Sequence, residues 1–319
     1  METSFTKLVG CGVPIQLAAM PGVVSVELAA AVAEAGGLGM VGVPLLPPAA
    51  VEALLDEIAA RTRRPVGVNF LMPFLDPACL DVAARRAPVV ELFYGDPDPD
   101  LVARGRAHGA RVGWQVGSVD EARAAERAGC DYVVVQGTEA GGHVRGRESL
   151  LPLLARAADA LGVPIVAAGG IATARDLAAV LAAGAGAARI GTRFVAAAES
   201  EAHPKYVAAL LAATAADTCL TETFSGMWPD APHRVLASAI AAAERLPAGP
   251  IGEMQLLGQA VPIERFSVIV PSKDTTGPIE AMALYAGESV GSVTAVQPAA
   301  EIVAELATGA ARLLRAARG

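Results

Sequence analysis

The feature that most constrains this chain of 319 residues is a regular alternation of short apolar runs with alanine-rich amphipathic segments. Eight apolar runs recur along the first 190 residues, and their length and content favour buried β-strands. They occupy residues 13–19, 39–43, 66–71, 89–94, 111–116, 132–136, 164–168 and 187–190. Strict alternation of strand and helix predicts parallel strands that are joined by right-handed crossovers.

The segments between the strands carry apolar residues three or four positions apart, which is the spacing of one helix face. Examples are residues 25–35, 49–61, 119–128, 150–161 and 173–183, where Ser25, Ser118 and Thr173 stand as N-caps. Eight such units are the number that closes a (β/α)8 barrel, whose active site lies on the loops after the strands. An open doubly wound sheet is the alternative, and its ligand-binding residues would cluster at one switch point. Here polar residues and glycines follow nearly every strand, which favours the barrel. We therefore predict an α/β fold of the (β/α)8 TIM-barrel class.

The alternation stops after Phe194. The pattern then becomes irregular, with the proline pairs His203-Pro204 and Trp228-Pro229. We predict a barrel formed by residues 1–198 plus 285–319, and a small substrate-side lobe at 199–284 inserted after the eighth strand. Residues 299–315 have apolar side chains on one face and predict a last barrel helix.

Composition excludes several classes of function. The formal net charge is −8 and no basic run is present, which argues against nucleic acid as a partner. No stretch of eighteen apolar residues lacks charges or turn signals, so no membrane span is predicted. The four cysteines are far apart and show no metal-ligand spacing, and no signal peptide is recognisable. We expect a cytoplasmic protein with reduced thiols and no bound metal.

One loop joins glycine to histidine directly after a predicted buried strand. The sixth strand ends at Gln136, and the loop that follows contains Gly137, Gly141, Gly142 and His143. Glycine allows the main chain to approach a ligand closely, and histidine can carry a proton near neutral pH. A tight turn whose histidine caps a helix is the alternative interpretation.

The loops after the seventh and eighth strands have the character of a phosphate site. Gly170 follows the seventh strand, and Gly191 and Thr192 follow the eighth. In (β/α)8 barrels these two loops commonly bind a cofactor phosphate through backbone N–H groups at a short helix. Plain tight turns between strand and helix would also account for the glycines.

Several motifs together resemble one known family. They are VQGTEAGGH at 135–143, AAGGIATARDLAAVLAAGA at 167–185, ARIGTRF at 188–194, AMPGVVSVELAAAVAEAGGLG at 19–39 and PVGVNFLMP at 65–73. The set is similar to the FMN-dependent nitronate monooxygenases, formerly called 2-nitropropane dioxygenases. Flavin-dependent enoyl-ACP reductases belong to the same fold group and have a similar histidine loop. The matches spread over most of residues 14–205.

The resemblance implies FMN as cofactor and His143 as the catalytic residue. The implied FMN contacts are Asn69, Gln136, Gly141, Gly142, Gly170, Arg189, Ile190, Gly191 and Thr192. Asn69 and Gln136 end their strands, so their amides are expected at the polar edge of a flavin ring in the barrel mouth. Met20 follows the first strand and either lies beside the ring or packs in the core. Gln115 is a weaker candidate for the mouth.

The resemblance implies oxidation of alkyl nitronates by O2 to a carbonyl compound and nitrite. His143 would remove the α-proton of a nitroalkane, or hold the nitro group of a preformed nitronate. The alternative enzyme is an NAD(P)H-dependent FMN reductase of enoyl thioesters or quinones, and a barrel that binds its ligand without turnover is the third option. The segment YAGESVG at 285–291 lacks a lysine that we associate with some nitronate-oxidising members.

Three further points stay open at this stage. Arg145 and Arg147 either meet an anionic substrate or are solvated surface charges. Glu139 is interpreted as a structural acceptor of backbone N–H groups. The partner is a small molecule together with O2 or NAD(P)H, and a homodimer is one option for the assembly.

Overall fold

Eight parallel strands close into a barrel in the computed structural model, which describes residues 1–317. The strands are β1 Ile15–Leu17, β2 Gly39–Gly42, β3 Val66–Leu71, β4 Val89–Phe93, β5 Arg111–Val116, β6 Tyr132–Gln136, β7 Ile165–Ala168 and β8 Ala187–Ile190. Each strand from β2 to β8 pairs in parallel with the next, and β8 pairs with β1 so that Ala188 lies opposite Ile15. Between β1 and β2 the barrel closes through a parallel bridge of Gln16 to Leu38. The predicted (β/α)8 barrel is confirmed.

The helices within residues 1–317 include the predicted segments 25–35, 49–61, 119–128, 150–161, 173–183 and 299–315, with ends that differ by a few residues. They are α1 Ser4–Val9, α2 Val26–Glu34, α3 Pro48–Arg61, α4 Pro77–Arg86, α5 Pro99–Arg106, α6 Val119–Arg127, α7 Leu150–Ala160, α8 Ala174–Ala182, α9 Thr192–Val195, α10 Pro204–Leu211, α11 Ala237–Glu244 and α12 Ala299–Ala316. The side chains of Ser25, Ser118 and Thr173 each accept a backbone N–H of the following helix, as N-caps do. The last helix, α12, packs against α8 and α2 and completes the outer ring. No helix within residues 1–317 is both long and apolar enough to cross a membrane.

The two ends of the barrel differ. At the N-terminal end of the strands, α1 inserts Phe5, whose ring meets that of Tyr132 edge to face at 5.2 Å. Both side chains are fully buried in a cluster inside the barrel with Met40 and Val134. This end is therefore plugged by apolar side chains, and a ligand site belongs at the opposite, C-terminal end.

Residues 199–284, here called the lobe, have regular structure that the sequence pattern does not reveal. Besides α10 and α11, the lobe contains β9 Thr218–Thr221, β10 His233–Leu236, β11 Pro250–Leu256 and β12 Gln259–Glu264. The strands β11 and β12 form an antiparallel hairpin, and β9 pairs antiparallel with β10. A second hydrophobic cluster includes Tyr206 and Phe224 and continues to Val293. The boundary after residue 284 stays a prediction.

Candidate active site

The lobe holds the main chain of the histidine loop. A short strand at Gly142–His143 pairs antiparallel with β10, so that His143 lies opposite His233. The N–H of Val144 donates to the carbonyl of Pro232 at 2.8 Å, and Gln136 Nε2 donates to the carbonyl of His143 at 2.9 Å. His143 is thus held from the barrel through Gln136 and from the lobe through β10.

Four aromatic rings surround the imidazole of His143. Trp228 stacks on it with ring centroids 3.9 Å apart and planes 18° apart. The rings of His233, Tyr285 and Tyr94 stand at 5.3, 5.6 and 6.0 Å. We call these four rings the aromatic enclosure. The Nε2 atom of His143 is buried there, and nothing within residues 1–317 forms a hydrogen bond with it.

The aromatic enclosure carries no charge near neutral pH. Burial, followed by repulsion from His233, lowers the pKa of His143 to about 3. Burial also lowers the pKa of His233, whose Nδ1 donates to the carbonyl of Ala231 at 2.8 Å while its Nε2 accepts from the Phe224 N–H. Burial raises the pKa of Tyr94 to about 12. His143 therefore acts at pH 7 as a neutral imidazole, which can donate or accept one hydrogen bond and is a weak base.

A buried ion pair lies inside the barrel. Glu91 on β4 is fully buried and forms a salt bridge with Arg189 on β8. Its carboxylate also accepts from Gln16 Nε2 at 3.1 Å, Asn69 Nδ2 at 2.9 Å and the Tyr132 hydroxyl at 3.0 Å. Together with Gln115, these five side chains form what we call the polar core: Gln16, Asn69, Glu91, Gln115, Tyr132 and Arg189.

Hydrogen bonds within the polar core determine which atoms of Arg189 and Asn69 remain available to a ligand. Arg189 directs its guanidinium to Glu91, to Gln115 Oε1 and to Gln16 Oε1, so its side chain lies inside the barrel and only its main chain reaches the β8 terminus. Asn69 gives its amide N–H to Glu91 and keeps its carbonyl oxygen as an acceptor. The sequence reasoning missed Glu91, although a single carboxylate within the apolar run 89–94 is a signal.

The loops after β7 and β8 lie side by side, and several of their backbone N–H groups form no hydrogen bond within residues 1–317. Strand pairing sets Ala168 opposite Arg189, which brings the two strand ends together. Within residues 1–317, no acceptor binds the backbone N–H of Gly170, Ile171, Gly191 or Thr192. Four donors at one edge of a barrel, next to the first turn of α9, form a suitable cradle for a phosphate.

Thr192 and Met20 border this cradle. The Thr192 hydroxyl accepts the N–H of Gly287 at 3.0 Å and keeps its own hydrogen for a ligand. The sulfur of Met20 lies 3.4 Å from the position that a Cβ on Gly191 would take. The structure thus brings Met20 beside the loop after β8, while the side chain of Ile190 is fully buried in the outer core.

The two glycines before His143 differ in what surrounds them. A Cβ on Gly141 would stand 2.5 Å from the nitrogen of Gly287, so this glycine allows the chain at 286–287 to cross close by. Gly142 has a φ of 75°, and a Cβ there would meet nothing within 4 Å. Only the second glycine borders open space.

Charged side chains of the same loop have protein partners. Both carboxylate oxygens of Glu139 accept the N–H of Leu150 at 3.0 Å, at the start of α7. Arg145 pairs with Asp96 and with Glu121, the latter at 2.7 Å. Arg145 is therefore neutralised by two carboxylates, while Arg147 is exposed.

Comparisons with known proteins identify the family of this chain. The model of the nitronate monooxygenase family matches residues 2–81 and 76–309. A nitronate monooxygenase of Pseudomonas aeruginosa is 35% identical over 274 residues, which covers 71% of this chain and 78% of that protein. An indene-carboxyl-CoA dehydrogenase of Rhodococcus jostii is 35% identical over 237 residues, or 74% of this chain but only 66% of the dehydrogenase.

Solved structures are similar along the full length. A mutant form of FabK from Thermotoga maritima has a TM-score of 0.84 and 31% identity, covering 100% of this chain and 99% of that one. Nitroalkane oxidase from Streptomyces ansochromogenes has a TM-score of 0.78 and 30% identity, covering 99% and 100%. Barrel, histidine loop and family match point to one conclusion: the chain is an oxidoreductase that belongs to the nitronate monooxygenase family.

Proposed function

We propose that the protein binds FMN at the barrel mouth and oxidises small alkyl nitronates with O2 to a carbonyl compound and nitrite. The observation that carries this proposal is His143, whose buried Nε2 has no partner within residues 1–317 and lies in a charge-free enclosure. A buried polar atom without a partner costs free energy, and at a strand end of a barrel it marks a place for a ligand.

The residues present fit FMN. Gln136 Oε1 is a second buried atom without a partner in residues 1–317, and Asn69 keeps a free carbonyl oxygen. Both are acceptors suited to an N–H at the polar edge of a flavin ring. The four backbone donors around Gly170 and Gly191, with the Thr192 hydroxyl, suit its phosphate. We assign Met20 to the side of the ring, and the main chain of Gly141, Gly142, Arg189 and Ile190 to the surrounding contacts.

A bound flavin would supply the redox chemistry, taking electrons from the substrate and passing them to O2. The task left to His143 is to orient the substrate. With a proton on Nε2, the neutral imidazole donates a hydrogen bond to a nitro oxygen in surroundings where water is excluded. Because a pKa of about 3 makes it a weak base, we expect preformed nitronates to be used in preference to neutral nitroalkanes.

Anaerobic stopped-flow mixing tests the proposal. We expect ethylnitronate to bleach the flavin absorbance, and NADPH to leave it unchanged. Under air, ethylnitronate is expected to consume O2 and release nitrite. A colourless protein that cannot be reconstituted with FMN would overturn the proposal, and so would a flavin that nitronate does not reduce.

A second candidate function is NAD(P)H-dependent reduction of enoyl thioesters or quinones. It is favoured by the Rhodococcus jostii relative, which is named for a carboxyl-CoA substrate. The charge-free aromatic enclosure would accept an uncharged acyl chain as readily as a nitronate. In the same experiment this function predicts rapid bleaching by NADPH and reoxidation by a crotonyl thioester.

A further inference from the structure

We propose that Trp228 is a specificity-determining residue: its indole covers one face of the His143 imidazole and so limits the bulk of the substrate that reaches Nε2. This inference rests on the proposed function of His143. It assigns a role in substrate selection to a second lobe residue of the aromatic enclosure, beside His233.

The first support is the contact itself. The two rings are nearly parallel, with centroids 3.9 Å apart, which leaves no room for a substrate atom between them. Trp228 is 6% exposed, so it covers His143 from within the structure and not as a surface side chain. A substrate must therefore approach Nε2 in the plane of the imidazole or displace the indole.

The second support is the packing that holds the indole in place. Tyr94 meets Trp228 edge to face at 4.7 Å, and Phe74 does so at 5.3 Å. Phe74 follows β3 and Tyr94 follows β4, so a lobe side chain is held between two loops at the C-terminal end of the barrel. Edge-to-face aromatic pairs are favourable beyond the apolar area that they bury, so the two contacts fix the position of the indole.

The third support is the backbone on either side of Trp228. Met227 has a φ of 74° and Asp230 a φ of 54°, which is the left-handed region that non-glycine residues rarely adopt. Such conformations persist only where the surroundings enforce them, and they cluster at ligand sites. The Trp228 N–H donates to the carbonyl of Ser225 at 3.0 Å and closes this turn. The turn thus holds the indole against His143.

The consequence is selection by size. With Trp228 on one face and with His233, Tyr285 and Tyr94 around the ring, the approach to Nε2 admits a small planar group better than a branched one. Steric discrimination in pockets is worth roughly 10- to 200-fold per methylene. Removal of the indole should therefore reduce the preference for small substrates by about tenfold or more.

Three variants test the inference. Trp228→Ala removes the cover, and Trp228→Phe keeps an aromatic ring over the imidazole. Met227→Ala is the matched control, since Met227 lies on the same turn but is 56% exposed. Correct folding is checked through the fluorescence of Trp114, the second of the two tryptophans, which is fully buried in the barrel.

The first measurement does not depend on activity. Carbethoxylation of His143 by diethyl pyrocarbonate is followed by mass spectrometry in the purified protein, with the exposed His108 as internal reference. We expect Trp228→Ala to speed modification of His143 at least about tenfold, and Met227→Ala and Trp228→Phe to change it little. Equal rates in wild type and Trp228→Ala would overturn the inference.

The second measurement compares kcat/KM for ethylnitronate, 2-propylnitronate and cyclohexylnitronate. The ratio of the smallest to the bulkiest substrate should fall about tenfold in Trp228→Ala and stay near the wild-type value in Met227→Ala. An unchanged ratio would contradict the inference. If the wild type oxidises no nitronate, the proposed function fails, and the labelling rates still decide whether Trp228 covers His143.

Discussion

The polar core and the aromatic enclosure differ in charge and in whether their buried polar atoms have hydrogen-bond partners. In the polar core, Glu91 carries a full charge and is balanced by Arg189 and three hydrogen-bond donors. In the aromatic enclosure no group is charged near pH 7, yet His143 Nε2 has no partner within residues 1–317. The charges of the first arrangement are balanced within the protein, whereas the second contains a buried polar atom without a partner. In this barrel a buried charge marks a structural ion pair. A buried polar atom without a hydrogen-bond partner is the better indicator of a ligand site.

Breaking the polar core should have the largest effect on stability. Arg189→Ala leaves the carboxylate of Glu91 buried and unpaired, which costs about 3–5 kcal/mol in the free energy of unfolding. The double variant Glu91→Leu/Arg189→Met should recover part of that loss, because it removes both charges but leaves the donors of Gln16, Asn69 and Tyr132 without their acceptor. Urea unfolding measures both.

Arg104→Ala is the matched control for this prediction. Arg104 pairs with Asp81 at the surface, where the side chains are 42% and 35% exposed. Its loss should cost at most about 1 kcal/mol. If Arg189→Ala were no more destabilising than Arg104→Ala, the polar core would not have the structural role given to it here.

The complementary change in the aromatic enclosure should affect catalysis and not folding. His143→Gln is expected to lower kcat/KM for ethylnitronate about 10²- to 10³-fold, the usual loss when one hydrogen-bond donor to a reacting oxygen is removed. The free energy of unfolding should change by less than about 1 kcal/mol, because no protein hydrogen bond to Nε2 is lost. His108→Gln, at an exposed position, should alter neither quantity. Full activity in His143→Gln would remove His143 from the mechanism.

The uncharged state of the enclosure predicts a dependence of stability on pH. Above pH 6.5 His143 is neutral in the folded and the unfolded chain. As the pH falls below 6.5, the unfolded chain takes up a proton at this position and the folded chain does not, so stability is lost down to about pH 3. The slope is at most about 1.4 kcal/mol per pH unit, or about 2 kcal/mol between pH 6.5 and 5.

Urea unfolding of wild type and His143→Gln across pH 7.5 to 4.5 isolates this contribution, since His233 is present in both. The wild type should lose more stability with acid than the variant. If the free energies of unfolding of the two proteins changed with pH in parallel, His143 would not be held neutral by its surroundings.

The smallest expected effect lies at the cradle after β8. Thr192→Val removes a hydroxyl that can donate to a phosphate, and we expect the affinity for FMN to fall about tenfold or less. Riboflavin lacks the phosphate, so its affinity should be unchanged. Quenching of flavin fluorescence measures both, and an equal loss for the two flavins would place the phosphate elsewhere.

The barrel could be predicted from local pattern because each strand and helix carries its own periodicity. The run 89–94 predicts a strand, and β4 lies at Val89–Phe93. The N-caps Ser25 and Thr173 likewise depend on residues only three positions away. What the run does not reveal is that Glu91 faces the barrel interior toward Arg189, because that pairing joins two strands through the curvature of the whole sheet.

The candidate site was predictable in part. The glycine–histidine loop and the glycines after β7 and β8 are visible in the sequence, and their assignment to FMN stays a prediction. The aromatic enclosure is not visible there, because Trp228 and His233 are far from His143 and from Tyr94 in the chain and meet them only after the lobe has packed. Likewise, the Arg189 side chain points into the barrel because Gln115 and Glu91 bind it there, and the motif ARIGTRF does not reveal this direction.

The pairing of His143 with β10 has a consequence for the order in which this protein matures. His233 is made 90 positions after His143, whereas the strands that close the barrel are complete once β8 has paired with β1. Synthesis proceeds from the N-terminus, and a contact across so long a loop forms late. A nascent chain released after α9 would have all eight barrel strands but no strand to hold its histidine and no indole to cover it. The histidine loop therefore gains its lobe contacts only after all eight barrel strands have been made.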